Sequence, residues 1–334
     1  MKKIIILSEQ KSYIRKGASA PQVDGQERAF LSYGGDDVSI CYKSLILKNI
    51  SRLLGKLHLG PLYESWAKQK HEDSVFLYVT MNLIYLKANA YLLKKLKASG
   101  NEISIFCYDC WEPEFQDWEK VIDDIGIDYL FFGYKKSAEY FKETGHNSYW
   151  VPLSADFTVF KDFYEKKTRM FMQMGRRNDV LHEKILAYLK LHGLEDSREN
   201  YVYRHDRNEQ IYPDIHELAK EINRTKYFVC VPKSYENFKR TGAISETICR
   251  YYEAMASKTM IIGMKPDTFD ELFPYKAMIS FNNDEDFNEA IDYYETHQDE
   301  YEAMLKKNHD YVLEHHCWGN RIHQILDIIN GVER

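Results

Sequence analysis

The residues best placed for chemistry lie between Lys226 and Gly263, in the run KYFVCVPKSYENFKRTGAISETICRYYEAMASKTMIIG. A buried strand ends at Pro232, a polar loop with Gly242 comes next, a helix is predicted over 245–257, and a second apolar strand closes at Gly263. A helix that opens at the carboxyl end of a strand presents unpaired N–H groups and a positive dipole, which suit a phosphate. Ser245 stands where an N-cap would, its Oγ able to cap the helix or touch a ligand. Ile248, Tyr251, Tyr252 and Met255 fall on a core face, and Glu246, Arg250 and Glu253 on roughly the opposite side. Two readings of those charges are open. They are a solvated ion-pair stripe, or they line a ligand site. There, a carboxylate would accept bonds from sugar hydroxyls and Arg250 would offset diphosphate charge.

Other candidates are weaker. Asp109 and Glu112 come after a strand ending at Tyr108, so either could act as a general base at the sheet's edge. Asp109 is the preferred one, with Asp36, Asp37 and His58 as alternatives. Asp284-Glu-Asp286 is formally a D-x-D metal motif, but it opens a helix, where acids favour the positive end; no metal site is expected. Cys107-Tyr-Asp-Cys110 sits at a strand end rather than a helix start, so all six cysteines read as small core hydrophobes.

The elements that must position these residues alternate. Strands at Lys3–Leu7, Ser74–Thr80, Ile103–Tyr108, Tyr129–Phe132 and Tyr149–Val151 are interleaved with helices at 42–59, Leu83–Ala98, Phe115–Ile125 and Ser137–Thr144. A long polar loop is expected from Ser8 to about Asp37. The rhythm breaks at 156–168 and restarts with strands at Met170–Met174, Tyr201–Tyr203, Tyr227–Val231, Met260–Ile262 and Ala277–Phe281. Helices are expected between them at 180–192, 214–223 and 245–257, and three helices close the chain. This predicts an α/β protein of two doubly wound, Rossmann-like domains, 1–155 and 169–316, joined by the linker 156–168 and facing a central cleft. Residues 317–334 form a C-terminal helix expected to pack back on the first domain.

Charge adds to the picture. Net charge is −6, which argues against nucleic-acid binding by the whole chain. Residues 1–100 carry +8 and the remainder −14. The helix 42–59 is basic and amphipathic, with Lys43, Lys48, Arg52 and Lys56 among leucines and isoleucines, which suggests an anionic membrane surface. No stretch reaches the roughly 18 apolar residues of a membrane span, so a cytoplasmic protein, resting on the inner face of a membrane, is expected.

Arg-Tyr-Tyr-Glu-Ala-Met-Ala at 250–256, with an apolar strand after it, resembles the donor-site helix of GT-B glycosyltransferases, in particular the family-1-like, spore-coat-maturation-type group. Phe269-Asp-Glu-Leu-Phe273, the helix opening at Asp284, and His316-Cys-Trp-Gly-Asn-Arg321 look like the same group. So does the strand ending Met174-Gly-Arg-Arg177. The likeness covers about 165–330; over 1–160 it is architectural. It implies a metal-independent transferase that needs no cofactor. The donor would be a UDP- or GDP-sugar held by the C-terminal domain, and the acceptor a glycan or lipid-linked molecule of bacterial-type surface polysaccharide or glycoconjugate synthesis. Glu253 matches the family's ribose-binding Glu and Arg176 its phosphate-contacting Gly-Arg, with Arg177, the helix start near Ser245, Glu246 and Arg250 assisting. Many retaining members have Glu-x7-Glu, whose first Glu would fall at position 245; here it is Ser245. A Lys usual after the Gly-Arg is also out of register, with His182 and Lys184 nearby. A nucleotide-sugar epimerase of the same fold and a non-catalytic nucleotide-sugar-binding protein are the alternatives.

Overall fold

The computed structural model describes residues 1–8, 20–56, 61–174, 177–204, 211–281 and 286–332. The chain divides into two compact units. One comprises Met1–Leu153, Arg240–Ile244 and Trp318–Arg334; the other Ser154–Lys239 and Ser245–Cys317.

In the first unit the elements are β1 (Lys3–Ser8), α1 (Ala20–Gly34), β2 (Val38–Tyr42), α2 (Leu45–Lys56), β3 (Ser74–Thr80) and α3 (Leu83–Ala98). They continue as β4 (Glu102–Cys107), α4 (Phe115–Ile125), β5 (Tyr129–Phe132), α5 (Lys135–Glu143) and β6 (Ser148–Trp150). Six strands pair in the order β2-β1-β3-β4-β5-β6. All neighbours are parallel, with Ile4 opposite both Val38 and Val75. Parallel strands are covered on both faces, which is why β3 and β4 read as continuous apolar runs rather than alternating ones.

The region Ser8–Asp37, expected as a loop, holds the fifteen-residue α1. Its inward positions are Val23, Gln26, Glu27 and Phe30, a helical spacing in which two of four side chains are polar. Hydrophobic periodicity therefore did not show it. The described helix over 42–59 is shorter than expected because β2 takes residues up to Tyr42.

The second unit runs β7 (Arg169–Gln173), α6 (Asp179–Leu191), β8 (Tyr201–Tyr203), α7 (Ile215–Asn223), β9 (Thr225–Cys230) and α8 (Ser234–Thr241, whose last two residues fall in the first unit). Then come α9 (Cys249–Ala256), β10 (Met260–Gly263), α10 (Phe269–Leu272), β11 (Ile279–Ser280), α11 (Phe287–Thr296) and α12 (Gln298–His315). The sheet order is β11-β10-β9-β7-β8, again all parallel. Its core gathers Phe171, Tyr188, Tyr201, Tyr227, Met260, Ile262 and Phe287.

The last helix, α13 (Trp318–Asn330), belongs to the first unit and packs on α1. Trp318 meets Phe30 and Phe106 edge-on at 5.7 and 6.0 Å, and the Lys2 backbone N–H donates to Asn330 Oδ1 at 2.6 Å. No helix among the described residues is long and apolar enough to cross a membrane.

Candidate functional site

In an open parallel sheet, ligands gather outside the carboxyl ends of the strands, where the order of strands reverses. In the second unit that switch lies between β7 and β9. The loops and helix starts at the carboxyl ends of β7, β9 and β10 therefore make the candidate site.

β9 and β10 end locked together. Gly263 has φ +140°, and a Cβ on it would stand 2.0 Å from the Cys230 carbonyl oxygen, so only glycine fits. The Met264 N–H donates to that same carbonyl at 3.1 Å, and the buried Tyr251 hydroxyl donates to the Met264 carbonyl at 2.7 Å. α9 thus hangs from the end of β10 by a side chain from its first turn.

On α9, Arg250 and Glu253 form an ion pair one turn apart. Glu253 is 1% exposed, while the Arg250 side chain keeps 24% of its surface. Both charges act on the Cys230 thiol. Burial pushes that thiol well up, Arg250 draws it down and Glu253 raises it; α9 packs on β9 and β10. Taking a carboxylate out of water is costly unless it is paired. Arg250 supplies the partner for Oε2, and among the described residues no donor reaches Oε1. A buried carboxylate with one oxygen fixed and the other open is suited to accepting hydroxyl donors.

The predicted helix 245–257 is corrected. α9 begins at Cys249, and its N-cap, Ile248, is extended and has no side-chain cap bond. Ser245 does not cap it. The segment is instead a loop, with the Asp267 N–H donating to the Ser245 carbonyl at 3.1 Å. The Thr268 hydroxyl donates to Glu246 Oε2 at 2.8 Å. Glu246 is 6% exposed and so does not share a helical face with Arg250 and Glu253. The solvated-stripe reading fails with it, since two of the three charges are buried. The β-branched pair Thr247-Ile248 favours the extended form. The Ser245 and Thr247 hydroxyls are inaccessible and, among the described residues, have no hydrogen-bond partner.

Of the basic turn after β7, Gly175 and Arg176 lie outside the described residues. Arg177 is exposed, its Nε 3.0 Å from Asp179 Oδ1, and Asn178 caps α6 by accepting from the Leu181 N–H at 3.0 Å. Just behind, the Tyr201 hydroxyl donates to Gln173 Oε1 at 3.0 Å and meets His182 Nδ1 at 3.1 Å. Burial, and then Arg177, hold His182 below the usual histidine range.

In the first unit the switch lies between β1 and β3. Asp109 comes just after β4, half-buried, and accepts from the Tyr134 hydroxyl at 2.9 Å. Glu112 is already engaged. It accepts from the Ala243 N–H at 2.7 Å and pairs with Lys136 at 3.2 Å, and these contacts, the backbone N–H above all, hold it below the usual carboxylate range. Asp36 and Asp37 precede β2 and sit at the amino end of the sheet, away from any such site; His58 lies outside the described residues. In the D-x-D run, Asp284 is likewise outside, and Asp286 caps α11 by accepting from the N–H groups of Asn288 and Glu289 at 2.9 and 3.0 Å. Among the described residues no cluster of three metal-ligating side chains occurs.

Sequence reasoning missed Thr268 and Gly263. The glycine had a signal, an isolated Gly closing an apolar strand. Thr268 had none, because its partner is 22 residues away.

Two parallel Rossmann-like sheets of six and five strands define the GT-B fold. Over nearly its whole length the chain is similar to HepE of Anabaena, solved with UDP-glucose (TM-score 0.58, 9% identity, covering 99% of this chain and 100% of that one). It is also similar to a glycosyltransferase of Rickettsia africae (0.55, 10%, 99% and 98%). A third structure, TarM, aligns over 84% of this chain and 57% of its own (0.53, 10%). No curated protein sequence matches. Residues 168–327, a little under half of the chain, are similar to the glycosyl transferase-like family, and the whole chain has the GT-B fold of these structures.

Proposed function

We propose that this protein transfers a sugar from a UDP- or GDP-sugar, held at the carboxyl ends of β7, β9 and β10, to a glycan or lipid-linked acceptor taken by the first unit. The observation that carries the reading is the ion pair of buried Glu253 with half-buried Arg250 on α9, the helix packed on β9 and β10. Glu253 Oε1 accepts the ribose hydroxyls. Arg250 holds that carboxylate oriented. Arg176 and Arg177 meet the diphosphate, aided by the N–H groups that open α9. Departure of the nucleoside diphosphate is eased by these donors and cations, which stabilise developing negative charge without a metal. Asp109 is the base for an inverting reaction, its carboxylate steadied by Tyr134.

HepE was crystallised with UDP-glucose, so uridine nucleotides come first in the test. A thermal-shift panel of UDP, GDP, ADP, CDP and their sugars should show stabilisation by one base, growing with ligand concentration, and its loss in Glu253→Gln. Absence of a response to every nucleotide would overturn the proposal. Donor alone, analysed by chromatography after incubation, should return no epimer.

A further inference from the structure

α2 wears its apolar side chains outward. Ile46 is 71% exposed, Ile50 39% and Leu53 59%, at i, i+4 and i+7. The inward row, Leu47, Ser51 and Leu54, is half-buried. Leu62, 42% exposed, is held beside the helix by Ser51, whose Oγ accepts from the Leu62 N–H at 2.8 Å and donates to its carbonyl at 3.0 Å. Single exposed aliphatics are ordinary on protein surfaces, but a contiguous row of them marks an interaction site. The composition around the row narrows the partner. From Ser44 to Tyr63 the sequence has Lys48, Arg52 and Lys56 and no carboxylate; Lys43, just before the helix, is buried against Asn89 and takes no part. A second copy docked on this helix would bring like charges together. An acidic peptide would answer the cations but leave the aliphatic row without a deep apolar phase. An anionic bilayer satisfies both, with acyl chains for the row and headgroup phosphates for the cations.

We propose that α2, with Leu62, is the face by which this protein rests on a membrane of anionic lipid. The corollary that the sugar acceptor is carried by that membrane rests on the transferase reading; the docking itself does not.

Sedimentation with vesicles of phosphatidylcholine alone, and of phosphatidylcholine mixed with phosphatidylglycerol, tests it. Wild-type protein should partition at least about tenfold more strongly onto the anionic vesicles, and less as salt is raised. The variant Ile46→Ser/Ile50→Ser/Leu53→Ser should lose about tenfold or more. The variant's thermal unfolding and its response to UDP verify that it folds and that the donor site is intact, so failure of docking and failure of the donor reading are told apart. Equal binding of the variant and wild type, or no binding to anionic vesicles, would overturn the proposal. So would a wild-type dimer that the three serines dissolve, since a second copy would then be the occupant.

Discussion

The carboxyl ends of the two sheets are built differently. In the second unit the edge is shaped by backbone: Gly263 lets two strand ends close on each other, and α9, which carries the charged pair, packs on the same strands. In the first unit the edge is shaped by side chains reaching from separate elements. The Ser8 hydroxyl donates to the buried Glu27 carboxylate at 2.5 Å. The buried Lys43 ammonium donates to Asn89, whose amide donates on to Tyr78 at 2.6 Å. A site for a common group such as a nucleoside diphosphate can be made from backbone N–H groups and a few charges in one strand–loop–helix unit. A surface for a particular acceptor needs side chains gathered from several elements.

Gly263→Ala strikes hardest at that contrast. The new Cβ collides with backbone and meets an unfavourable φ, so a loss of about 3–5 kcal/mol is expected, read as a lowered denaturant midpoint. Its counterpart on the other sheet, Gly133→Ala, meets chiefly the Leu153 side chain, at 2.6 Å. That side chain can give way, and about 1 kcal/mol is expected. Similar losses at both positions would erase the distinction. Next come the two carboxylates. Asp109→Asn should lower transfer by about 10²-fold or more while leaving the nucleotide-induced thermal shift intact. Glu253→Gln should abolish the shift and lower kcat/KM by roughly 10–100-fold, about 1.5–3 kcal/mol. If both variants lose the shift, the division into donor and acceptor edges fails. Thr268→Val leaves buried Glu246 short of a donor and should cost about 1–2 kcal/mol in chemical denaturation.

The smallest effect is one of pH. His182 is held neutral in the fold below the ordinary histidine pKa of 6.5. Between its folded value and 6.5 the unfolded chain binds more protons, so stability rises with pH through that window. His182→Gln should flatten the slope. A slope unchanged in the variant would assign it to other groups.

The alternation of apolar runs with helical patterns made the two sheets and most helices legible, because parallel strands buried on both faces leave uninterrupted runs such as SVFLYVT. α1 was hidden by its own Gln26 and Glu27, buried polar residues at core positions. The candidate site was legible as a region. Arg250 and Glu253 belong together as expected from their spacing, but the start of α9 was placed four residues early. What holds Ser245 and Glu246 out of the helix is Asp267 and Thr268, and no local propensity encodes a tether to a later loop. The basic, amphipathic character of α2 was legible, but which of its apolar residues turn outward was not, since periodicity reveals that a stripe exists and not which way it turns.

The return of α13 to the first unit has a consequence for the order of events during synthesis. Phe30 and Phe106 emerge early, yet Trp318 comes after Phe30 by nearly the full length of the chain. At about 5–20 residues per second the wait is roughly 15–60 s. Throughout it, α1 has an uncovered face, while the second unit, complete at Cys317, has every residue it needs. The first unit is therefore finished after the second, and a nascent chain paused before residue 318 is the form most in need of a chaperone.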